Sequence, residues 1–285
     1  MNKSAHVAVK TSSGTTERVN INNVVMQGTV WGSLFCTSTM DKLGKIKYQN
    51  EDLLFKYRGE VAVPALEMID DIADVQKCGL NAVKSNAVVN SFIEHKKLTL
   101  SGSKCHKIHC GKKNSFCTTL KVHNDEMHEA EEEKYLGDQI NKSAKHASTV
   151  SKQRAKGFGI VSDIIQILDF IPNSRRRIEL GLLLRQAWFV NAMLVNIEAW
   201  HNVLKKDTEV FTKLDNYLMK KIIGCHSKVP TELLYLETSS VPIEYIIASR
   251  RINYLHNILS KEDHELTKRV MIVRRRTQAK VIGVN

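Results

Sequence analysis

The sequence predicts an α+β fold in which short strands and two helices extend to about residue 138, followed by an all-α segment to residue 285. Short apolar runs separated by turn residues fill the first half, which is typical of antiparallel strands. After Asn141, apolar residues recur at intervals of three and four, as on one face of a helix. A hydrophobic fraction of 42% is enough for a sizeable core in two domains.

The elements of the first half are bounded by glycine, proline and Ser/Thr-rich turns. Gly44 is the expected end of the first helix, and Arg58-Gly59 the expected turn between two paired strands. Pro64 indicates a strand end, because proline cannot donate to a sheet. In chain order, the predicted elements are two short strands within 5–25, a helix over 29–47, strands over 53–57 and 61–65, a hairpin over 66–74, a helix over 81–95, and strands over 98–100, 105–109 and 116–122.

The second half is predicted to be helical, with recognisable start and stop residues. Ser174 is a candidate N-cap, Asp207 or Thr208 another, and Gly224 a candidate C-terminal stop. Trp188 and Trp200 are expected in the core. The acidic run 129–134, which lies before this helical half, is expected to be a solvated helix or turn. The predicted helices are 141–157, 161–168, 175–204, 209–223, and two that begin at Pro230 and Pro242.

The net charge of +12 is unevenly placed along the chain. Residues 1–140 carry 18 Lys and Arg against 17 Asp and Glu, whereas residues 141–285 carry 24 against 13. A basic helical region of this kind suits a phosphate backbone as partner. No run of 18 apolar residues and no apolar leader occurs, so an intracellular protein without a membrane span is expected. Six cysteines without regular spacing favour free thiols.

The stretch Cys105–Cys110, with Cys117 and His123 further on, raises the alternative of a zinc site. Zinc needs about four ligands that converge tetrahedrally. On one strand, Cys105 and His109 share a face while the two residues that follow them take the other face. The sequence therefore favours ordinary strand side chains here.

Four short blocks carry the functional signal. Asp70 and Asp71 stand between short apolar runs, as acids at the tip of a β-hairpin would, and such acids can hold the Mg²⁺ that polymerases use. The other three blocks are Gln27–Phe35, Lys97–Lys104 and Lys134–Gly137.

In this order and at these spacings, the four blocks resemble the second half of the palm of reverse transcriptases from non-LTR (LINE-like) retrotransposons. Gln27-Gly28 matches the family's motif B and Met68–Asp71 its Tyr-x-Asp-Asp motif C. Lys104 falls on the lysine of motif D, and Tyr135–Gly137 on motif E. The resemblance implies a partial palm over 1–138, a helical thumb over 139–228 and a helical extension over 229–285.

The resemblance also implies roles for single residues. Asp70 would bind the catalytic Mg²⁺, in a two-metal site, and Asp71 would support it. Lys104 would lie beside the leaving pyrophosphate, although Ser101–Ser103 departs from the usual loop before it. Gln27 and Gly28 would shape the nucleotide pocket. The implied activity is RNA-directed DNA polymerisation, with an RNA template, a DNA primer, their RNA–DNA hybrid and dNTPs as partners.

Basic clusters in the second half are expected to contact template–primer phosphates. Arg175, Arg176 and Arg177 open a helix, where their charges oppose the helix dipole, and a bound phosphate would relieve that repulsion. The other clusters are Lys205 with Lys206, Lys220 with Lys221, and Arg274–Arg276.

One part of the family pattern has no counterpart in this sequence. The family carries a further catalytic aspartate, on motif A, several tens of residues before motif B. Only 26 residues precede Gln27, and Glu17 is the sole acid among them. We therefore expect a truncated polymerase that is catalytically incomplete alone. The alternatives are a non-catalytic nucleic-acid-binding module and a decayed retroelement product without activity.

Overall fold

The structure is a computed structural model that describes residues 5–21, 30–110, 119–123, 125–143, 145–200 and 203–282. It divides into two compact units. Unit 1 comprises residues 1–105 and 114–128, and unit 2 comprises residues 106–113 and 129–285. The boundaries near 138 and 228 remain predictions.

The α+β class is confirmed at the level of its elements. Every strand that the structure describes belongs to a two-stranded sheet, so the single larger sheet expected of a palm is not formed by these residues. The strands are β1 (Ala5–Val7), β2 (Lys10–Thr11), β3 (Gly14–Thr15), β4 (Val19–Ile21), β5 (Phe55–Tyr57), β6 (Val61–Val63), β7 (Leu66–Met68), β8 (Asp71–Ala73), β9 (His106–Lys107), β10 (Lys121–Val122), β11 (Asp125–Glu126), β12 (His128–Glu129), β13 (Glu132–Tyr135) and β14 (Asp138–Asn141).

Unit 1 is built on two helices, α1 (Val30–Tyr48) and α2 (Gly79–His95). Their small core consists of Met40 and Leu43 from α1 with Phe92 and Ile93 from α2. The expected end of α1 at Gly44 was wrong, because the helix continues for another turn. That last turn carries Lys47 into the interior, where its side chain is fully buried.

The turn predictions in unit 1 fared better than the strand predictions. β5 and β6 pair around Arg58 and Gly59, both of which have positive φ, and Pro64 follows β6 directly. By contrast, residues 98–100 form no strand, and the strand expected over 105–109 shrinks to β9. Of the strand expected over 116–122, only β10 lies within the described residues.

Unit 2 is a helical body around one apolar core. Its largest fully buried side chains include Phe189, Phe211, Ile164, Leu168 and Leu218. The helices are α3 (Ala147–Asp169), α4 (Arg175–Leu184), α5 (Asn191–Met193), α6 (Lys205–Ile223), α7 (Thr231–Glu237), α8 (Ile243–Leu259) and α9 (Leu266–Ile282). A π-helical segment, Arg185–Val190, joins α4 to α5.

Three predictions about unit 2 were wrong. The two helices expected over 141–157 and 161–168 are the single helix α3, because Gly157 sits inside it against Met193 and Leu214 instead of ending it. The helix expected over 175–204 ends at Met193 after its π-helical segment. The acidic run 129–134 is largely strand, since β13 pairs with β14.

The prediction of a core position is confirmed for Trp200 and was wrong for Trp188. Trp200 is 2% exposed, as predicted for a core residue, but Trp188 is 38% exposed. Trp188 lies in the π-helical segment, where the wider turn changes which side chains face the core.

The helix ends predicted at Ser174, Pro230, Pro242 and Gly224 are confirmed, whereas the start predicted at Asp207 or Thr208 was wrong, because α6 begins at Lys205 and Leu204 is its N-cap. The Ser174 side chain accepts a hydrogen bond from the Arg177 backbone N–H, and Pro230 and Pro242 precede α7 and α8 directly. Asp207 accepts a hydrogen bond from the Leu204 N–H at 3.3 Å. Gly224 closes α6 with a φ of 75°, in the left-handed region that favours glycine.

Arg177 joins the C-terminal ends of two helices. Its guanidinium donates to the carbonyl of Leu168 in α3 at 3.1 Å and to that of Ile222 in α6 at 2.9 Å. A cation at a helix C-terminus is favourable, because the unpaired carbonyls there carry partial negative charge. Since both C-termini meet at one side chain, α3 and α6 run side by side in the same direction.

An ion pair lies inside the core of unit 2. Arg185 donates from Nε and a terminal nitrogen to both oxygens of Asp215, at 2.6 and 2.7 Å. The Tyr235 hydroxyl donates to the same carboxylate at 2.8 Å, and burial raises the pKa of Tyr235 further from neutrality. Asp215 is fully buried, so its charge depends on these donors.

The Asp215→Ala variant should lower the free energy of unfolding by ~3–5 kcal/mol, because it leaves the buried Arg185 cation without a carboxylate to balance its charge. Urea denaturation followed by circular dichroism measures the effect. The control is Glu179→Ala, which removes the exposed partner of Arg175 and should cost less than about 1 kcal/mol. Equal losses in both variants would contradict a stabilising core pair.

Candidate functional site

Asp70 and Asp71 lie at the tip of a tight β-hairpin, the geometry that the sequence predicts. β7 and β8 pair with Met68 opposite Asp71, which leaves Ile69 and Asp70 as the two turn residues. Ile69 has a φ of 59°. The first central position of a two-residue turn with positive φ is normally Gly, Asn or Asp, so a β-branched residue there is strained. Strain of this kind concentrates at functional sites.

The two faces of the hairpin have different surroundings. Side chains alternate along a strand, so Met68 and Asp71 share one face, and both are exposed. Glu67 and Ile72 share the other face, and Ile72 packs against the core of α1 and α2. The hairpin therefore lies on α1 by one face and presents its acids to solvent.

The strained turn is held by a thiol of α1. Cys36 Sγ donates to the backbone carbonyl of Ile69 at 3.3 Å. Burial and the nearby charge of Asp70 raise the pKa of the Cys36 thiol, so it stays protonated and able to donate. Cys36 thus fixes the residue immediately before the two acids.

A buried cation anchors the base of the hairpin. The Lys47 ammonium is 2.9 Å from Asp74 Oδ2, directly after β8, and donates to the Pro64 carbonyl, just before β7, at 3.2 Å. Asp74 also accepts a hydrogen bond from Ser85 of α2 at 2.5 Å. Lys47 therefore connects both ends of the hairpin to α1. Sequence analysis missed this role because a lysine in the last turn of a helix usually indicates a solvated end.

Glu67 is the third carboxylate of the hairpin, and it faces inward. Its Oε1 is buried without a hydrogen-bond partner. Burial raises the pKa of Glu67; the charge of Asp41 acts in the same direction, and Lys47 opposes both. The folded protein therefore favours the protonated form of Glu67 more than the unfolded chain does.

The acids at the tip suit a weak Mg²⁺ site more than a closed cage. Mg²⁺ takes six oxygen ligands and is commonly held by one or two carboxylates together with substrate phosphates and water. Asp70 and Asp71 can supply the carboxylates. Among the described residues, no group of three or more His, Cys, Asp or Glu side chains is placed to hold a metal ion.

The other residues predicted for this site are not brought to the hairpin tip by the described contacts. Gln27 and Gly28 lie outside the described residues. Lys104 is exposed at the end of a short 3₁₀ helix, Gly102–Lys104, and in the described part of unit 1 no hydrogen bond or ion pair links it to Asp70 or Asp71.

The block Tyr135–Gly137 forms the turn of a second hairpin, in unit 2. Tyr135 pairs with Asp138, and the two residues between them, Leu136 and Gly137, both have positive φ. Asn196 donates from its side-chain amide to the Leu136 carbonyl at 2.6 Å. The turn is thereby fixed against the segment that follows α5.

The residues of the predicted basic clusters differ in solvent exposure and in whether they already have a partner. Arg176, Lys205, Lys206 and Lys221 are exposed. Arg175 is exposed and paired with Glu179, and Lys220 donates to the Ser227 carbonyl. Arg177 is the exception, because its guanidinium holds helix carbonyls and is only 12% exposed. The exposed lysines remain available for phosphate.

The cysteine- and histidine-containing stretch has other partners. His106 Nδ1 lies 2.8 Å from a Glu133 carboxylate oxygen, and burial raises the pKa of the Cys105 thiol. Cys117 lies outside the described residues. The prediction of strand side chains is confirmed for His106, which lies in β9, and was wrong for Cys105, His109 and Cys110, which lie outside any strand.

Comparisons with known proteins give no family assignment. Neither protein-family models, nor curated proteins, nor solved structures match the chain. Within the described residues, no helix combines the length and the apolar character that crossing a membrane requires.

Glu67→Gln should stabilise the protein more at about pH 7 than at about pH 4, because a raised carboxyl pKa costs stability as the pH rises through the ordinary glutamate range of ~4.3. Below that range the wild-type side chain is protonated in both states, and the variant gains little. Urea denaturation at the two pH values measures the difference.

The control for this prediction is Glu94→Gln, which removes an exposed glutamate of α2. A Glu67→Gln gain that is equal at both pH values, or larger at the lower one, would contradict a buried carboxylate that resists ionisation.

Proposed function

We propose that this chain is a reverse transcriptase-like protein that binds an RNA–DNA hybrid and does not polymerise DNA by itself. The observation that carries the proposal is the Asp70–Asp71 hairpin. Asp70 lies in the two-residue turn and Asp71 begins β8, the turn is strained at Ile69, and α1 contacts it from one side. A rigid pair of acids directed at solvent suits a metal that a nucleotide's phosphates help to bind.

The order of the sequence blocks supports the same reading. The Asp-Asp hairpin lies between the Gln27-Gly28 block and the Tyr135–Gly137 turn, as motifs B, C and E do in the family. In this interpretation the β7–β8 hairpin belongs to the palm, the helices from α3 to α6 belong to the thumb, and α7, α8 and α9 form the helical extension. When bound, Mg²⁺ would neutralise charge on the triphosphate, with Asp70 and Asp71 as its ligands.

The charge of the second half supports nucleic acid as the partner. The excess of cations past residue 140 is carried in part by exposed side chains, including Lys205, Lys206 and Lys221. Each cation that neutralises a phosphate releases a condensed counterion, so affinity from this source falls as salt rises.

Binding is favoured over catalysis because, among the residues that the structure describes, Asp70 and Asp71 are the carboxylates at the tip and no third acid joins them. A two-metal site needs oxygen ligands from more than one direction to hold both ions in line with the reacting oxygens. Glu67, the other acid of the hairpin, points to the opposite face, towards α1. The chain alone therefore supplies one side of such a site.

Binding to an RNA–DNA hybrid should weaken steeply with salt, and the Lys205→Gln, Lys206→Gln double variant should reduce the slope of log affinity against log salt by ~1–2, since each phosphate contact contributes about 0.9. Fluorescence anisotropy with a labelled hybrid measures both. Lys56→Gln, which removes a paired lysine of β5, should leave the slope unchanged. A wild-type affinity that does not respond to salt would contradict the proposal.

Primer extension tests the proposal that the chain does not polymerise DNA by itself. The isolated chain, given an RNA template, a DNA primer, dNTPs and Mg²⁺, should yield no extended product, because one carboxylate-bearing side of the metal site is insufficient. Extension that requires Mg²⁺ and disappears in Asp70→Asn would show instead that the chain is a complete polymerase.

A further inference from the structure

A groove lies between α3 and α6 in unit 2, on the surface of the helical body. It has a volume of about 260 Å³ and is lined by Arg154 and Phe158 from α3 and by Val210, Lys213, Leu214 and Tyr217 from α6. α3 and α6 run in the same direction, so Arg154 and Phe158, one helical turn apart, face Lys213 and Tyr217, which are also one turn apart.

Two aromatic rings are exposed at the rim of this groove. Phe158 is 50% exposed and Tyr217 is 46% exposed. Each ring has a cation over it. The Arg154 guanidinium carbon lies 5.5 Å from the Phe158 centroid, and Lys221 Nζ lies 5.6 Å from the Tyr217 centroid.

The cations around the groove form no ion pairs with acids in the described residues. Arg154, Lys213 and Lys221 make no ion pair with any carboxylate in the described part of unit 2. Glu209, one turn before Lys213 on α6, is the neighbouring acid on that helix face. Three cations beside an apolar floor attract an anionic partner that also carries apolar surface.

We propose that the groove between α3 and α6 binds an unpaired nucleic-acid strand, with bases stacked on Phe158 and Tyr217 and phosphates held by Arg154, Lys213 and Lys221. Flat rings at the surface together with unpaired cations match what a single strand presents, which is a series of aromatic faces joined by phosphates. A duplex has its base faces already stacked on each other, so it cannot use the rings in this way. An acidic peptide would match the charge but has no regular series of flat faces.

The site goes beyond the proposed function, which concerns a paired hybrid and the acids of unit 1. The groove shares Lys221 with the cations named for hybrid binding, but the residues changed in its test, Phe158, Lys213 and Tyr217, have no part in that proposal. Failure of hybrid binding or of its salt response would therefore leave the groove open to a separate test.

The test is fluorescence anisotropy with a labelled oligothymidylate of about 12 nucleotides, a length within the site size of known single-strand binders. Phe158→Ala and Tyr217→Ala should each weaken binding about tenfold, because each removes a stacking platform. Tyr217→Trp keeps a ring and should retain wild-type affinity. Lys213→Gln should weaken binding and lower its salt dependence.

Tyr245→Ala is the matched control, since Tyr245 is a 65% exposed tyrosine on α8, outside the groove. It should bind the oligonucleotide like the wild type. Circular dichroism of each variant identifies loss of folding, and Phe158→Leu, which keeps apolar packing but has no ring, should bind as weakly as Phe158→Ala if the ring is what matters.

Three results would overturn the proposal. One is wild-type affinity for the single strand in both alanine variants. Another is equal weakening of duplex DNA binding in those variants, which would indicate a general loss of basic surface. The third is competition by polyglutamate that itself depends on Phe158 and Tyr217, which would assign the groove to an acidic peptide.

Discussion

The arrangement of unit 1 depends on one ammonium group that has been removed from water. Lys47 is fully buried and is bonded to Asp74 and to the Pro64 carbonyl. A buried cation is costly unless it is paired. Separating Lys47 from Asp74 and from the Pro64 carbonyl would therefore leave an unpaired charge in the interior. Because those partners flank the β7–β8 hairpin, the same constraint holds the two acids in a defined position on α1. The function that we propose requires this rigidity.

Arginines in unit 2 have a comparable structural role. Arg177 bonds the carbonyl ends of α3 and α6, while Arg251 donates to the carbonyls of Ile197 and Trp200. A high net charge therefore does not translate directly into phosphate-binding capacity, since part of it completes the ends of helices. The binding proposals depend on cations that are exposed, namely the lysines near the start and end of α6 and the cations around the groove.

Local rules predicted the features that local chemistry controls. The acids were predicted at a hairpin tip because the residues on both sides alternate with a period of two, which leaves two residues for the turn. Ser174 was predicted at a helix start because its side-chain oxygen can accept a backbone hydrogen bond, and Gly224 at a helix end because glycine adopts a positive φ readily. The failures came from tertiary packing. Gly44 did not end α1, because the following turn places Lys47 in a buried ion pair. In the candidate site, the acids could be predicted, whereas the support from Cys36 and Lys47 could not, since neither residue type indicates such a contact in advance.

Gly157 of α3 lies beneath the groove and packs against a residue that lines it. A methyl group built on its α-carbon would lie 2.4 Å from the sulfur of Met193 and 3.2 Å from a methyl of Leu214, whose side chain forms part of the groove. Because Gly157 has no side chain, Met193 and Leu214 can pack closely against α3 at this position. A larger residue here would displace Met193, whose sulfur is the nearest atom, or press on Leu214, so the packing beneath the surface cleft depends on a position without a side chain.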